Sequence, residues 1–322
     1  MLKRAVMVLG MALAGPALAT DGLDPLASFL ETNGVLVDRV LAFQGATEGF
    51  LKALDPGARF CSAEEAAALR ADGMGMSGAA TGTVAAVSLL PTLDSVELWP
   101  EDIAYLKVRG LRQGSGTELL AHLKGLAGAF RVIVDLRGAD GFDLGSVVEL
   151  ASPCHDPGET LFTLQDTRGV TVATLSAGEQ EPLKTVILVL TDRDTRGAAE
   201  TLAALWRGCP GIMLIGTATR GDSRVRDILT VPDGRLLVMF SRRVVPVTAA
   251  DYEHKGVAPD VTVTAMEGGA AAGEDVKLSA KPLSEKSTRD RELMLRVVGD
   301  DVLRRATDIL LGLRAMNGYG YR

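Results

Sequence analysis

The spacing of apolar residues changes partway along the chain, from helical to strand-like. Through residues 24–72 apolar residues recur at helical intervals, and Asp24-Pro25 and Ser62-Ala63-Glu64-Glu65 supply the signals that start helices. From Thr81 onward the apolar residues form short runs separated by turn residues, which predicts strands. We therefore expect a helical region followed by a region that contains a sheet.

Helices are predicted between the strands of the second region. One is marked by Leu119, Leu123 and Leu126, and another spans residues 197–207. Asp233-Gly234 is typical of a hairpin turn. This alternation favours an α/β fold, a central sheet with covering helices. The predicted strands are 84–90, 95–99, 103–108, 132–134, 160–164, 170–175, 186–190 and 212–215.

The last part of the chain changes composition before it becomes helical again. Residues 266–290 are rich in Gly, Ala, Lys and Glu, which is typical of a loose linker. From about Arg291 to Met316 the apolar residues return to helical spacing. They predict either a helix pair or one long helix, and we assign residues 291–322 as a C-terminal helical tail.

Composition excludes two classes of protein. Of 322 residues, 47% are hydrophobic and the mean hydropathy is +0.19, so the chain can bury a core and is not disordered. The net charge is −7, and no concentrated basic stripe is present to hold phosphates. Nucleic acid is therefore not an expected partner.

The first 19 residues have the layout of a secretory signal peptide. Lys3 and Arg4 precede an apolar run from Ala5 to Gly15, and Ala17-Leu18-Ala19 ends the segment with small residues. The run is shorter than the roughly 20 residues that span a bilayer. We expect cleavage after Ala19, no transmembrane segment thereafter, and a periplasmic or secreted protein.

The positions of the cysteines do not determine whether any of them form a disulfide, and the cysteines and histidines match no metal-binding motif. Cys61, Cys154 and Cys209 would all enter an oxidising compartment, either as one disulfide with a leftover thiol or as inert buried thiols. The chain has 3 histidines and neither HExxH nor CxxC spacing, so we predict no metal and no cofactor. Residues 73–78 match GxGxxG in letters, but they follow a predicted helix rather than a strand, which argues against a nucleotide site.

Four segments of the chain carry a recognisable pattern: Leu51–Pro56, Val134–Gly141, Val189–Glu200 and Lys255–Asp260. In this order they resemble the LDP segment, the DLRxNPGG segment, the strand and helix start of the nucleophile, and the GxxPD segment of the C-terminal processing peptidases. These enzymes, also called tail-specific proteases, use a Ser-Lys dyad. The resemblance covers roughly residues 35–265, implies that family's core fold and suggests that the N- and C-terminal helices form a homodimer.

The resemblance also divides the chain. Relatives usually insert a PDZ domain before the protease core, but the stretch from Met76 to Pro100 is too short, because fewer than about 40 residues rarely support a core. The predicted divisions are a signal peptide (1–19), an N-terminal helical region (20–76), a protease-like core without a PDZ insertion (77–265), a linker (266–290) and a helical tail (291–322).

The positions that match the catalytic residues carry other side chains. Three residues before Glu200, where the family has its nucleophilic serine, this chain has Gly197, which has no side-chain oxygen. Asp222 stands at the position of the general-base lysine, and Arg226 at that of the glutamine that orients it. The resemblance therefore implies that the dyad is lost.

The turn that forms the oxyanion hole in the family is only partly preserved. Gly141 matches the oxyanion-hole glycine. Phe142 replaces the second glycine and Asp140 the proline, so we expect a more occluded turn.

We interpret the chain as an exported pseudoprotease that binds a polypeptide or a partner protein of the cell envelope, such as an active protease, without cleaving it. One alternative is a weakly active peptidase that uses Ser223 or a water activated by Asp222. A second alternative is a structural assembly protein. The expected binding residues are Gly141, Phe142, Gly197, Asp222 and Ser223.

Overall fold

A computed structural model describes residues 23–33, 37–74, 91–128, 131–264 and 288–318. Contacts divide the chain into two compact units, which meet in sequence between Arg59 and Phe60.

Several predicted features lie outside the described residues. They are the signal peptide, the connection beyond Met74, the strand at 84–90 and residues 266–287 of the linker. The stretch on which the PDZ argument depends is also largely among them, so that argument stays a prediction.

The first unit contains two helices, as the helical spacing predicts. Helix α1 spans Leu23–Thr32 and α2 spans Arg39–Leu54. Asp38 caps α2, because its Oδ1 accepts a hydrogen bond from Leu41 N at 3.0 Å.

The second unit, Phe60–Arg322, contains the sheets. Its strands, in chain order, are β1 (Arg59–Cys61), β2 (Leu93–Trp99), β3 (Ile103–Val108), β4 (Gly110–Leu111), β5 (Arg131–Asp135), β6 (Asp140–Gly141), β7 (Thr160–Asp166), β8 (Thr171–Ser176), β9 (Ile187–Thr191), β10 (Ile212–Gly216), β11 (Arg224–Thr230), β12 (Leu236–Pro246) and β13 (Val261–Thr262). Its helices are α3 (Ala63–Ala71), α4 (Ser115–Leu126), α5 (Leu144–Ala151), α6 (Gly197–Trp206), α7 (Thr288–Gly299) and α8 (Asp301–Gly318).

Several predicted details of these elements are confirmed, and two differ. Ser62 caps α3 through its Oγ, which accepts from Glu65 N at 3.0 Å, and the C-terminal segment is a helix pair rather than one long helix. Strand β1 lies inside the region predicted as helical. Helix α7 begins at Thr288, within the predicted linker.

A six-stranded sheet forms the centre of the second unit. Its order is β13-β10-β9-β5-β3-β2, and its neighbouring strands run parallel except for the antiparallel pair β2 and β3. Every residue of β9 is buried, as expected for a parallel strand covered on both faces. The predicted helix-covered α/β sheet is therefore present.

Helices cover both faces of this sheet. On one face, buried side chains of α4, α5 and α6 pack against residues such as Leu106 and Val134. On the other face, Leu303, Ala306 and Leu310 of α8 pack against strand residues that include Ile133 and Leu188. The C-terminal helix α8 thus completes the core of the second unit.

A second, antiparallel sheet is formed by strands that alternate along the chain with those of the first sheet. Its order is β1-β12-β7-β8, with β11 paired to β12. Strands β11 and β12 are joined by the predicted Asp233-Gly234 turn, where Gly234 has a φ of +85° and donates its N–H to Val231 O at 2.8 Å. Strands β4 and β6 form a separate parallel pair.

A buried charged network connects the large sheet to the start of α8. Asp135 Oδ2 accepts hydrogen bonds from Tyr105 Oη at 2.8 Å and from Arg137 Nη2 at 2.7 Å, and Lys107 Nζ lies 3.3 Å from its Oδ1. Arg137 also reaches Asp300, with Nη1 2.7 Å from Oδ2. Burial would raise the pKa of Asp135, but its hydrogen bonds to Arg137 and the charges of Arg137 and Lys107 hold the pKa below its usual value.

Of the helices in the described part of the chain, none combines the length and the apolar character needed to cross a membrane.

Candidate functional site

Gly197 is the first residue of helix α6 and follows the loop that connects β9 to this helix. Its φ is +60°, a left-handed conformation that favours glycine. A Cβ at this position would lie 2.6 Å from the carbonyl oxygen of Gly141. The structure thus brings together the position that matches the nucleophile and the turn that matches the oxyanion hole, and it leaves no room between them for a side chain.

The turn after Gly141 has its next two amide groups already engaged. Phe142 N donates to Leu111 O at 3.1 Å, and Asp143 N donates to the same oxygen at 3.3 Å. An oxyanion hole needs N–H donors that point at the developing charge. Here the Gly141 carbonyl, an acceptor, is the group nearest to the Cβ position of residue 197, which disfavours a negative charge at that point.

Glu200 holds the second loop of the site against α6. This fully buried carboxylate accepts hydrogen bonds from Thr219 Oγ1, from Gly221 N at 2.5 Å and from Asp222 N at 3.1 Å. The pKa of Glu200 is raised, mainly by burial and also by the nearby charge of Asp222. The three hydrogen bonds lower the pKa but do not cancel these effects. The loop that carries Asp222 therefore lies beside the first turn of α6.

Asp222 is paired with an arginine rather than free to act as a base. Arg224 Nε lies 2.6 Å from Asp222 Oδ1, and Arg224 Nη2 lies 3.0 Å from Oδ2. Although burial raises the pKa of Asp222, its hydrogen bond to Arg224 and the charges of Arg224 and Arg226 hold the pKa below its usual value. A carboxylate with a lowered pKa is a weak base, so Asp222 is poorly suited to activate water.

Ser223 faces a glutamate in the interior. Its Oγ donates to Glu253 Oε2, and its backbone N donates to the same oxygen at 2.8 Å. The residue is 2% exposed, so its hydroxyl is almost inaccessible from solvent. The Ser223–Glu253 contact serves to fix the loop.

Sequence reasoning missed the partners of these residues. Arg224 follows Asp222 closely, and the alternation of charges in the segment was a usable signal for their pairing. Glu253 lies 30 positions after Ser223 in the sequence, and no sequence motif predicts their contact. In the sequence, Glu200 marks only the residue from which the position of Gly197 is counted, although a lone acid in the apolar run of α6 indicates a buried, hydrogen-bonded carboxylate.

Two exposed arginines flank Gly197 and were also missed. Arg196 Nη2 lies 3.4 Å from Asp140 Oδ2, and Arg220 Nη1 lies 3.8 Å from Asp194 Oδ1. Both arginine side chains are about half exposed, at 53% and 54%.

No group of three or more His, Cys, Asp or Glu side chains in the described residues is close enough to hold a metal ion.

Comparison with known proteins identifies the class to which this fold and site belong. A family model described as Peptidase family S41 matches residues 102–263, about half of the chain, from just before β3 to just after β13. This part of the second unit is thus a peptidase-type α/β domain. The chain belongs to Peptidase family S41, which confirms the resemblance to C-terminal processing peptidases.

Individual proteins that resemble this chain share less than 30% sequence identity with it. The chain is 25% identical over 211 residues to a carboxyl-terminal-processing protease of Picosynechococcus sp., covering 64% of this chain and 50% of that protein. It is 29% identical over 144 residues to the nisin-resistance protein of Lactococcus lactis subsp. lactis, covering 40% and 45%. The chain thus spans half or less of these relatives' lengths. Among solved structures, the photosystem II D1 C-terminal processing protease is similar at 21% identity with a TM-score of 0.44, covering 52% of this chain and 44% of that one.

Proposed function

We propose that this chain is an exported member of Peptidase family S41 that binds an extended polypeptide or a partner protein without cleaving it. The observation that carries the proposal is Gly197. It occupies the first position of α6, where the family's serine is expected, and the Gly141 carbonyl lies 2.6 Å from the place of a Cβ.

The chemistry of peptide hydrolysis supports this proposal. A covalent route needs an activated oxygen or sulfur nucleophile and a base that takes its proton. Gly197 has no such atom, Asp222 is held in a two-point ion pair, and the Ser223 hydroxyl is buried against Glu253. The Asp222-activated water and the Ser223 nucleophile are therefore the less favoured alternatives.

The surroundings of Gly197 offer groups for binding. Phe142 is half-buried at the turn and can contact an apolar side chain. Arg196 and Arg220 offer charge-assisted hydrogen bonds to carbonyl or carboxylate oxygens of a peptide. A partner in the cell envelope, including an active protease, fits this proposal if residues 1–19 direct export.

The direct test measures cleavage and binding in the same samples. The purified full chain is incubated with casein and with C-terminal tail peptides, and we expect binding without new fragments. Fragments that disappear in Asp222→Ala or Ser223→Ala would show an active peptidase and overturn the proposal. Neither cleavage nor binding would favour the assembly-protein alternative.

Phe142→Ala is expected to weaken peptide affinity by about tenfold, because a partly buried aromatic side chain typically contributes on the order of 1–2 kcal/mol to an interface. Fluorescence anisotropy with a labelled tail peptide measures the effect. Phe50→Ala is the matched control, since Phe50 lies on α2 in the first unit and is 62% exposed. Equal affinity of the Phe142 variant and the native protein would remove this turn from the binding site.

A further inference from the structure

Two of the three cysteines lie next to each other at the ends of two helices. Cys154 closes the short 3₁₀ turn that follows α5, and Cys209 lies three residues after the end of α6. The Cys209 thiol donates a hydrogen bond to Leu205 O at 3.1 Å, and Cys154 and Cys209 are near enough for each to shift the pKa of the other. Trp206 Nε1 donates to Leu150 O at 2.9 Å, which joins the same two helix ends independently of the cysteines.

A histidine adjoins this cysteine pair. His155 Nε2 lies 4.0 Å from Cys209 Sγ, and His155 Nδ1 lies 3.3 Å from Glu159 Oε2. Glu159 thereby orients the imidazole so that its second nitrogen faces the sulfur. Cys209 is buried at 8% exposure, whereas Cys154 is only partly buried, so Cys154 is the more accessible of the two thiols.

We propose that Cys154 and Cys209 are a redox-active pair that closes to a disulfide by exchange with a small disulfide such as oxidised glutathione or with a disulfide-carrying oxidoreductase. The sequence left the pairing of three cysteines open. The structure selects this pair, because the hydrogen bond from Trp206 to Leu150 and the contact between Cys209 and His155, the neighbour of Cys154, bring the two helix ends together.

The exchange proceeds in two balanced steps. The Cys154 thiolate attacks one sulfur of the incoming disulfide, forming a mixed disulfide and releasing one thiolate. Cys209 then passes its proton by way of His155 to the thiolate released first, and its sulfur attacks Cys154 Sγ and releases the second thiolate. The two protein thiols are oxidised, the reagent disulfide is reduced to two thiols, and the second thiolate takes from solvent the proton that Cys154 gave up when it ionised.

The protonation preferences of the two sulfurs agree with this order. The neighbouring Cys209 thiol lowers the pKa of Cys154, while burial acts in the opposite direction. The neighbouring Cys154 and burial both raise the pKa of Cys209. Cys154 therefore carries the thiolate and attacks first.

The disulfide would connect the helices that frame the candidate site. Helix α5 begins just after the Gly141–Phe142 turn, with Asp143 as its N-cap, and α6 begins at Gly197. A covalent link at their far ends would restrict the spacing between their near ends. This consequence does not depend on whether the site binds peptide.

The test uses the full chain and compares three single variants. Reduced protein is treated with oxidised glutathione, alkylated and digested without reductant, and mass spectrometry should find one peptide pair joined through Cys154 and Cys209. Cys154→Ser and Cys209→Ser should abolish the pair, and Cys61→Ser should retain it. A cross-link through Cys61, or glutathione adducts alone, would overturn the proposal.

A thermal measurement adds a readout that requires no digestion. Oxidation should raise the Tm of the native chain and of Cys61→Ser by roughly 5 °C, because a cross-link restricts the unfolded chain. The double variant Cys154→Ser/Cys209→Ser should show no rise. An equal rise in the double variant would assign the stabilisation to something else and overturn the proposal.

Discussion

Gly197→Ala is expected to lower the free energy of unfolding by about 3 kcal/mol, combining left-handed backbone strain with steric overlap. The glycine has a φ of +60°, and the new Cβ would lie 2.6 Å from Gly141 O. Gly141 O is a backbone atom and the new Cβ is bonded directly to the backbone, so neither atom can rotate away as the end of a side chain could. Urea denaturation followed by circular dichroism measures the change.

Gly208→Ala separates the two causes. Gly208 also has a positive φ, +88°, but a Cβ there would meet nothing within 4 Å. We expect a loss of only about 1 kcal/mol at Gly208, from backbone strain alone. Equal losses at the two positions would mean that the Gly141 carbonyl exerts no steric effect on residue 197.

The same contact bears on a variant that carries the two residue types of the family's dyad. Gly197→Ser combined with Asp222→Lys supplies both residue types of the family's dyad. We expect no cleavage of casein by this variant, because its serine would lie against a carbonyl oxygen and the amides after Gly141 donate to Leu111 O. Recovered cleavage would show that the turn can rearrange to an active form.

Asp135→Asn is expected to lower the free energy of unfolding at pH 7 by about 3 kcal/mol, the typical cost of breaking a buried ion pair from one side. Asp135 is 1% exposed, and its charge balances Arg137 and Lys107. Tyr105→Phe is the control, because it removes the 2.8 Å hydrogen bond to Asp135 but leaves the carboxylate and its charged partners in place, and it should cost about 1 kcal/mol. Equal stability of Asp135→Asn and the native chain would contradict the importance of the network.

The pH dependence of this difference has a defined sign. The pKa of Asp135 is lower in the folded protein than its ordinary value, so its charge stabilises the fold fully above the ordinary pKa of about 4. The stabilisation is lost as the pH falls below 4 toward the folded-state pKa. The gap in unfolding free energy between native chain and Asp135→Asn should therefore be constant from pH 7 to 5 and shrink below pH 4. A gap that widened on acidification would exclude a lowered pKa.

Much of the fold could be predicted from local pattern. The short apolar runs at β5 and β9, the Asp233-Gly234 hairpin and the Ser62 cap all lie where the sequence predicts them. These features depend on residues a few positions apart, so their cause is visible in a linear sequence. The family resemblance was predictable for a similar reason, because its four segments keep their order.

The site was predictable only in part. The sequence alone indicates that Gly197 cannot be a nucleophile. It does not indicate that the Gly141 carbonyl faces Gly197, or that Glu253 holds Ser223. These contacts join residues from different loops, and their distances depend on how the strands pair.

The sequence by itself determined the succession of helices and strands, the resemblance to a peptidase family and the residue types at the positions that match that family's dyad. Only the tertiary structure decided that α8 covers the second face of the sheet, that Asp222 is paired with Arg224 and that Cys154 meets Cys209. The physical reason is the separation, along the sequence, of the residues that interact. Periodicity and turn chemistry act between near neighbours, whereas ion pairing, steric exclusion and thiol contact depend on distances in space, which packing of the whole chain establishes.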